Sequence, residues 1–110
     1  MPGGHQVVIK VSLAALVALG VTIHPTRAAT VQITMENMVI FPAETSAKVG
    51  DTVELINKDV LVHSATARNG DFDVTMPPKK TETMVLKKPG TIDYYCRFHP
   101  NMKAVLTVAP

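Results

Sequence analysis

The segment Cys96-Arg97-Phe98-His99-Pro100-Asn101-Met102 places three side chains that can bind a soft metal ion within seven residues of one another. Thiolate and thioether sulfur favour Cu(I), whereas imidazole suits both Cu(I) and Cu(II). A blue-copper electron-transfer site uses one Cys, two His and a weak, long axial Met. The segment supplies Cys96, His99 and Met102, so the second His must come from another part of the fold.

The N-terminus is predicted to be a cleavable secretory signal. Lys10 precedes a mostly apolar run over 11–23, and the small residue Ala28 fits the −1 position of a cleavage site. An uncleaved membrane anchor is the alternative. A spanning helix needs about 20 apolar residues, and Lys10 and Arg27 bound a shorter run. We therefore predict a signal peptide over 1–28, export to the periplasm and no stable membrane insertion after cleavage.

The remaining residues, 29–110, form one predicted domain. Loss of Lys10 and Arg27 leaves nine basic residues against nine acidic ones, and no basic stripe indicates nucleic-acid binding. The domain has a single Cys, which is better explained as a metal ligand than as a free thiol in an oxidising compartment. Its two His residues are His63 and His99. We therefore predict a metal site made of His63, Cys96, His99 and Met102.

Short strands separated by turn signals run through the domain, and no segment keeps a helical period. The predicted strands are 31–36, 38–41, 44–49, 52–57, 60–67, 81–86, 91–95 and 103–108. Strands of this length and spacing are typical of an all-β sandwich or barrel. Ile92, Tyr94 and Cys96 share one face of an extended strand. If Ile92 lies in the core, Cys96 points inward at the end of that strand.

Other interpretations of these residues stay open at this point. Zinc is the main competing ion, because Cys and two His can bind it tetrahedrally. Met102 is a poor zinc ligand, however, and no general base accompanies the site, so neither an enzyme nor a catalytic residue is predicted. Taken singly, Cys96 would more often be a small buried hydrophobe, and His63 and Met102 would be structural. Their combination favours a metal site.

The domain resembles the cupredoxins, the type 1 blue copper proteins, and amicyanin most closely. Val49-Gly50-Asp51-Thr52-Val53 is similar to the turn and strand before the first copper His of that family. The segment 89–96 is similar to the one that leads to its Cys, and the short Cys-x2-His-Pro-x-Met loop has the amicyanin spacing. The resemblance implies a Greek-key β-sandwich of about eight strands. It also implies one copper ion, Cu(I) or Cu(II), held at one end by the predicted ligands, and a role as a one-electron carrier.

Two residues depart from the family pattern. Ser64 follows the first predicted His ligand, where many cupredoxins have an Asn that braces the ligand loop. Because the Ser side chain is shorter, we expect weaker bracing. Phe98 replaces the Pro that precedes the second His in amicyanin, and its backbone N–H is expected to point at the Cys96 sulfur.

The resemblance also implies redox protein partners, such as a methylamine dehydrogenase-like donor and a c-type cytochrome acceptor. Electrons are expected to leave through the edge of His99, inside an apolar ring of Phe98, Pro100 and Met38. The residues expected to add a local basic surface are Lys79, Lys80, Lys87, Lys88, Arg97 and Lys103. The domain is expected to be a monomer. A copper-binding or delivery protein that does not cycle electrons and a metal-free interaction domain remain the alternatives.

Overall fold

The computed structural model describes residues 27–110, so most of the predicted signal peptide lies outside the described part of the chain. Nine strands occur in this part, and no helix within it is long and apolar enough to cross a membrane. The strands are β1 (Thr30–Glu36), β2 (Val39–Phe41), β3 (Glu44–Lys48), β4 (Thr52–Asn57), β5 (His63–Ala67), β6 (Asp73–Met76), β7 (Thr81–Val85), β8 (Gly90–Tyr95) and β9 (Lys103–Ala109). Each of the eight predicted segments overlaps one of them, which confirms the all-β prediction. The short strand β6 was not predicted.

The strands form two sheets, of order β2-β1-β4-β7 and β3-β9-β8-β5-β6. Strands β1 and β4 pair in parallel, as do β3 and β9, although neither pair is consecutive in the chain. The other pairs are antiparallel. Because parallel neighbours require crossover connections, the chain passes between the sheets in a Greek-key manner. Strands β3 and β6 lie at the two edges of the five-stranded sheet.

Alternating side chains from the two sheets meet in a single core, as the period-2 pattern predicts. The four-stranded sheet contributes Ile33, Met35, Val53 and Leu55, all fully buried. The five-stranded sheet contributes Ala65, Ala67, Ile92, Tyr94, Leu106 and Val108. Ile92 and Tyr94 are 3% and 1% exposed, and Cys96 follows them onto the inner face with no exposure. The strand-parity prediction is therefore confirmed.

The strand registers give the sandwich two distinct ends. At one end, Tyr95 pairs with Lys103 and His63 pairs with Met76. We call this the ligand end, and its connections are 37–38, 58–62, 77–80 and 96–102. The connections of the opposite end are 49–51, 68–72 and 86–89.

Candidate metal centre

Three of the predicted ligands converge at the ligand end. The two imidazole Nδ1 atoms of His63 and His99 are 3.2 Å apart, and each faces the Cys96 sulfur, at 3.8 and 3.6 Å respectively. A point in the plane of these atoms lies about 2.1 Å from all three, inside the roughly 2.0–2.3 Å range over which protein nitrogen and sulfur bind a metal such as zinc. One metal ion therefore fits between them without any change in fold.

Two strands and one short loop hold these groups. His63 is the first residue of β5, and Cys96 directly follows the last residue of β8. The loop from Cys96 to Met102 is tied to itself by main-chain bonds. His99 N–H donates to the Cys96 carbonyl at 3.2 Å, Met102 N–H donates to the His99 carbonyl at 2.9 Å, and Cys96 N–H donates to the Met102 carbonyl at 3.0 Å. These bonds fix the spacing of the donors along the loop.

Met102 lies where the loop closes, and its side chain is 2% exposed. It lines one shallow depression with Met38, Phe98, His99, Pro100 and Asn101. A blue-copper centre takes a thioether as its weak axial donor, and Met102 is the buried thioether that lines the same depression as His99. Zinc is poorly matched to this set, since thioether sulfur is not among its usual protein ligands.

Burial is uneven around the centre. His63 and Cys96 are fully buried, whereas His99 is only partly buried. Water is thus kept from the thiolate, and the ring of His99 is the ligand that reaches the surface. The surrounding apolar side chains are exposed, with Met38 at 40% and Phe98 at 45%. The prediction that His99 lies within this apolar ring agrees with the geometry.

The backbone donor to the Cys96 sulfur is Ser64, and the expectation for Phe98 is corrected here. Ser64 N–H donates to Sγ at 3.3 Å. In the described part of the chain, no hydrogen bond joins Phe98 N–H to that sulfur, because the loop turns back through the His99–Cys96 bond at this point. Ser64 is therefore the residue whose amide acts directly on the thiolate, from β5 and not from the ligand loop.

A hydrogen-bonded ring through Ser64 braces the ligand loop. Arg97 N–H donates to Ser64 Oγ at 2.8 Å, and Ser64 bonds Thr66 Oγ1 at 2.8 Å. Thr66 donates to an Asp73 carboxylate oxygen at 2.8 Å, and Arg97 Nε donates to the same oxygen at 2.9 Å. The bonds from Arg97 and Thr66 hold the pKa of Asp73 below its usual value. The expected weakness of a lone Ser is thus compensated by a longer relay.

Asp59 contacts the Nε2 edge of the His63 ring, whereas Nδ1 faces the Cys96 sulfur. Its carboxylate lies 2.7 Å from His63 Nε2 and also accepts the backbone N–H groups of Asn37 and Met38, at 2.7 and 3.1 Å. Burial pushes the pKa of Asp59 upward, but the bonds from His63, Met38 and Asn37 outweigh it, so that the pKa is below its ordinary value. Since a carboxylate only accepts, Nε2 carries the proton of this bond and Nδ1 is left to face the thiolate.

Sequence reasoning missed Asp59, Thr66 and Asp73. The only signal for Asp59 was a carboxylate four residues before a predicted ligand, which is common in loops without any such role. Thr66 and Asp73 gave none, because their contact depends on the pairing of β5 with β6.

The predicted basic surface is wrong as a single patch. Lys79 and Lys80 lie at the ligand end, but Lys87 and Lys88 follow the far end of β7 and lie at the opposite end. Lys88 lies there 3.8 Å from an Asp71 carboxylate oxygen. Arg97 is paired with Asp73. Strand β7 runs from one end of the sandwich to the other, so the lysines before it and after it lie at opposite ends.

Comparisons with known proteins agree with this fold. The family model of the cupredoxin-like domain matches residues 9–108, so the chain belongs to that family. The resemblance expected from the ligand-loop motif is thereby confirmed. His63, Cys96 and His99, with Met102 beside them, are positioned as a site for one copper ion.

Amicyanins and a methylamine-utilization protein are among the relatives. Methylamine utilization protein MauL of Methylorubrum extorquens is 30% identical over 89 residues, covering 77% of this chain and 78% of that protein. Amicyanin from Paracoccus versutus is 26% identical with a TM-score of 0.62, covering 77% of this chain and 84% of its own. A Cu(I) structure of a methionine-to-alanine variant of amicyanin is 25% identical with a TM-score of 0.66, covering 72% of this chain and 81% of its own.

Proposed function

We propose that this protein is a periplasmic type 1 copper protein that carries single electrons between redox partners, and that His63, Cys96, His99 and Met102 hold its metal. The observation that carries the proposal is the triangle of two Nδ1 atoms and one sulfur, 3.2–3.8 Å on a side. Copper supplies the one-electron couple when it is bound. The protein acts as a carrier and not as an enzyme.

The chain contributes rigidity to this function. Electron transfer is fast when the donor atoms barely move between the two oxidation states of the centre. The loop bonds between Cys96 and Met102 and the relay from Arg97 through Ser64 keep the donors in one arrangement. The full burial of Cys96 and His63 excludes water that would otherwise reorganise around the changing charge.

The apolar ring at the ligand end is the proposed docking surface for partners. Phe98, Met38 and Pro100 surround the partly buried His99, and Val60 and Leu61 add 74% and 48% exposed side chains from the adjoining loop. A small apolar patch of this kind suits weak, short-lived contacts. The predicted mature chain has no net charge, so long-range electrostatic steering contributes little.

The proposed partners follow from the relatives. The methylamine-utilization relative supports a methylamine dehydrogenase-like donor, and a c-type cytochrome is the acceptor that we propose with it. Mixing the reduced protein with a c-type cytochrome, and the oxidised protein with a reduced dehydrogenase, tests each transfer separately by stopped-flow absorbance.

Titration of the exported, processed protein with Cu(II) tests the function itself. We expect uptake of one equivalent, an intense visible sulfur-to-copper charge-transfer band and a reversible one-electron potential. The control Cys96→Ser keeps the shape of the side chain but removes the thiolate, so it loses the band. Tight Cu(I) binding without colour would instead indicate a copper-delivery protein, and an absence of uptake would indicate a metal-free interaction domain.

A further inference from the structure

We propose that Asp59 is a positioning residue that orients His63 toward the metal and lowers the reduction potential of the centre. This inference rests on the proposed function. Its basis is the bond between a carboxylate oxygen and Nε2 of His63, at 2.7 Å, on the side of the ring away from the Cys96 sulfur. The second ring nitrogen of a metal-binding His commonly donates to a group of this kind, and loss of that group weakens metal binding.

The carboxylate is held from several directions. Its Oδ1 accepts Asn37 N–H, and its Oδ2 accepts both Met38 N–H and the His63 ring. Asn37 and Met38 both have positive φ angles, of 55° and 64°, which turn their two amides toward the same acceptor. The Asp59 side chain is 14% exposed. It therefore cannot swing into solvent without breaking the turn between β1 and β2.

The charge of Asp59 has no basic counter-ion. Among residues 27–110, no Lys or Arg side chain forms an ion pair with this carboxylate, and the side chain that it contacts is the His63 imidazole. Lys79 approaches the same loop, but its ammonium donates to the Lys58 carbonyl. The field of the carboxylate is thus directed at the imidazole and, through it, at the position where a metal ion would bind.

A fixed negative charge hydrogen-bonded to one ligand favours the more positive oxidation state of a bound metal ion. Asp59 therefore stabilises Cu(II) relative to Cu(I), and it raises the basicity of His63 by accepting its ring proton. Replacement by the isosteric amide keeps the volume and removes the charge. Asp59→Asn should shift the Cu(I)/Cu(II) preference toward Cu(I) by about tenfold, which corresponds to a potential about 59 mV higher for a one-electron couple.

Asp59 also connects the ligand to the rim of the docking surface. The turn that it holds carries Met38, which lines the depression beside Phe98 and His99. Loss of the carboxylate should loosen this turn as well as the His63 ring. Asp59→Glu retains the charge on a longer side chain and should recover part of the potential shift.

The first test needs no copper. Nitrogen-15 NMR of His63 in the apo full-length processed protein should show the proton on Nε2, with Nδ1 unprotonated. A proton found on Nδ1 and not on Nε2 in the wild-type protein would overturn the proposal, whether or not the protein carries electrons. In Asp59→Asn the preference for this tautomer should weaken.

The second test compares reduction potentials of the copper-loaded wild type, Asp59→Asn, Asp59→Glu and the matched control Asp93→Asn. Asp93 is an exposed residue of β8 whose carboxylate forms no ion pair in the described chain, so it makes the same charge change away from His63. A rise in Asp59→Asn no larger than that in Asp93→Asn would overturn the proposal. Failure of the wild type to bind copper would sink the proposed function but leave the NMR test of Asp59 standing.

Discussion

Each end of the sandwich is organised around one aspartate, buried at the opposite end and partly buried at the ligand end, and the two differ in what the carboxylate holds. At the opposite end, Asp51 accepts the N–H groups of Ala29 and Lys48, at 2.8 and 3.0 Å, and the Lys48 ammonium at 3.1 Å. At the ligand end, Asp59 accepts hydrogen bonds from the two backbone N–H groups of the turn before β2 and from Nε2 of the His63 ring. Each carboxylate lies in or beside a loop and accepts backbone N–H groups from another part of the chain. Only Asp59 also contacts one of the proposed metal ligands, His63.

The difference lies in the counter-ion. Lys48 neutralises Asp51 locally, so that the pair stabilises the fold and has no effect at a distance. Asp59 has only an imidazole, so its charge acts on the chemistry of the ligand end. Cleavage after Ala28 would turn the nitrogen that faces Asp51 into an α-ammonium and would strengthen that contact further. We therefore assign Asp51 to structure alone, whereas the proposal above gives Asp59 an effect on the metal centre.

The largest expected loss of stability comes from Asn57, the buried amide below the ligand end. Its Nδ2 donates toward the carbonyls of Leu61, Met76 and Pro77, at 2.8, 3.1 and 3.1 Å. Asn57→Ala removes these buried bonds and should lower the free energy of unfolding by about 2–4 kcal/mol. Urea denaturation of the apo protein measures this change.

A matched Asn at the opposite end provides the control for that prediction. Asn69 is exposed, and its side chain bonds Asp71 within its own turn. Asn69→Ala should cost less than about 1 kcal/mol. Equal losses for the two variants would mean that the amide of Asn57 does not hold the ligand-end connections.

An intermediate effect is expected from Asp51→Asn. The bond from Ala29 N–H, together with the bonds and charge of Lys48, holds the pKa of Asp51 below its usual value despite burial. The unfolded chain therefore binds this proton more readily, and the stabilisation is present at neutral pH and lost as pH falls through the lowered folded pKa. The variant should lose on the order of 5 °C of Tm at pH 7.

The pH dependence of that loss discriminates the mechanism. Thermal melts at decreasing pH should bring wild type and Asp51→Asn together once the wild-type carboxylate is protonated. The reduction potential should not move, because Asp51 lies at the opposite end. A constant Tm difference down to strongly acid pH, or a shifted potential, would contradict the assignment of Asp51 to structure alone.

The smallest effect is expected from Phe98→Pro. This change removes a backbone N–H from the loop beside the thiolate but leaves the Ser64 bond to the sulfur intact. Because no hydrogen bond joins the Phe98 N–H to the sulfur in the described chain, we expect the potential to stay close to that of the wild type. Voltammetry of Phe98→Pro and Asp59→Asn checks this order of effects. A fall on Phe98→Pro as large as the rise on Asp59→Asn would show that the loop amide acts on the sulfur after all.

Much of the ligand end could be predicted from local sequence. The spacing of Cys96, His99 and Met102 sets a short loop, and the alternation from Ile92 through Tyr94 determines that Cys96 points inward. His63 was predicted as the second His ligand by elimination, because the predicted domain contains only one other His, His99. Local pattern suffices where the donors are near one another in the chain or where few residues of a type exist.

The rest depends on contacts that no local pattern specifies. Strand β6 is short and lies at a sheet edge, so Asp73–Met76 has too few alternating residues to signal a strand. The order of the strands follows from long-range pairing, and the relay from Ser64 to Asp73 exists only once β5 and β6 pair. Asp59 meets His63 because the loop between β4 and β5 folds back on its own beginning, which its composition does not reveal.

X-ray absorption at the copper edge of the Cu(II)-loaded protein tests the convergence of the donors most directly. We expect two nitrogen scatterers and one short sulfur scatterer around each copper ion, with the sulfur lost in Cys96→Ser. A copper coordinated only by nitrogen and oxygen in the wild-type protein would show that Cys96 does not bind the metal.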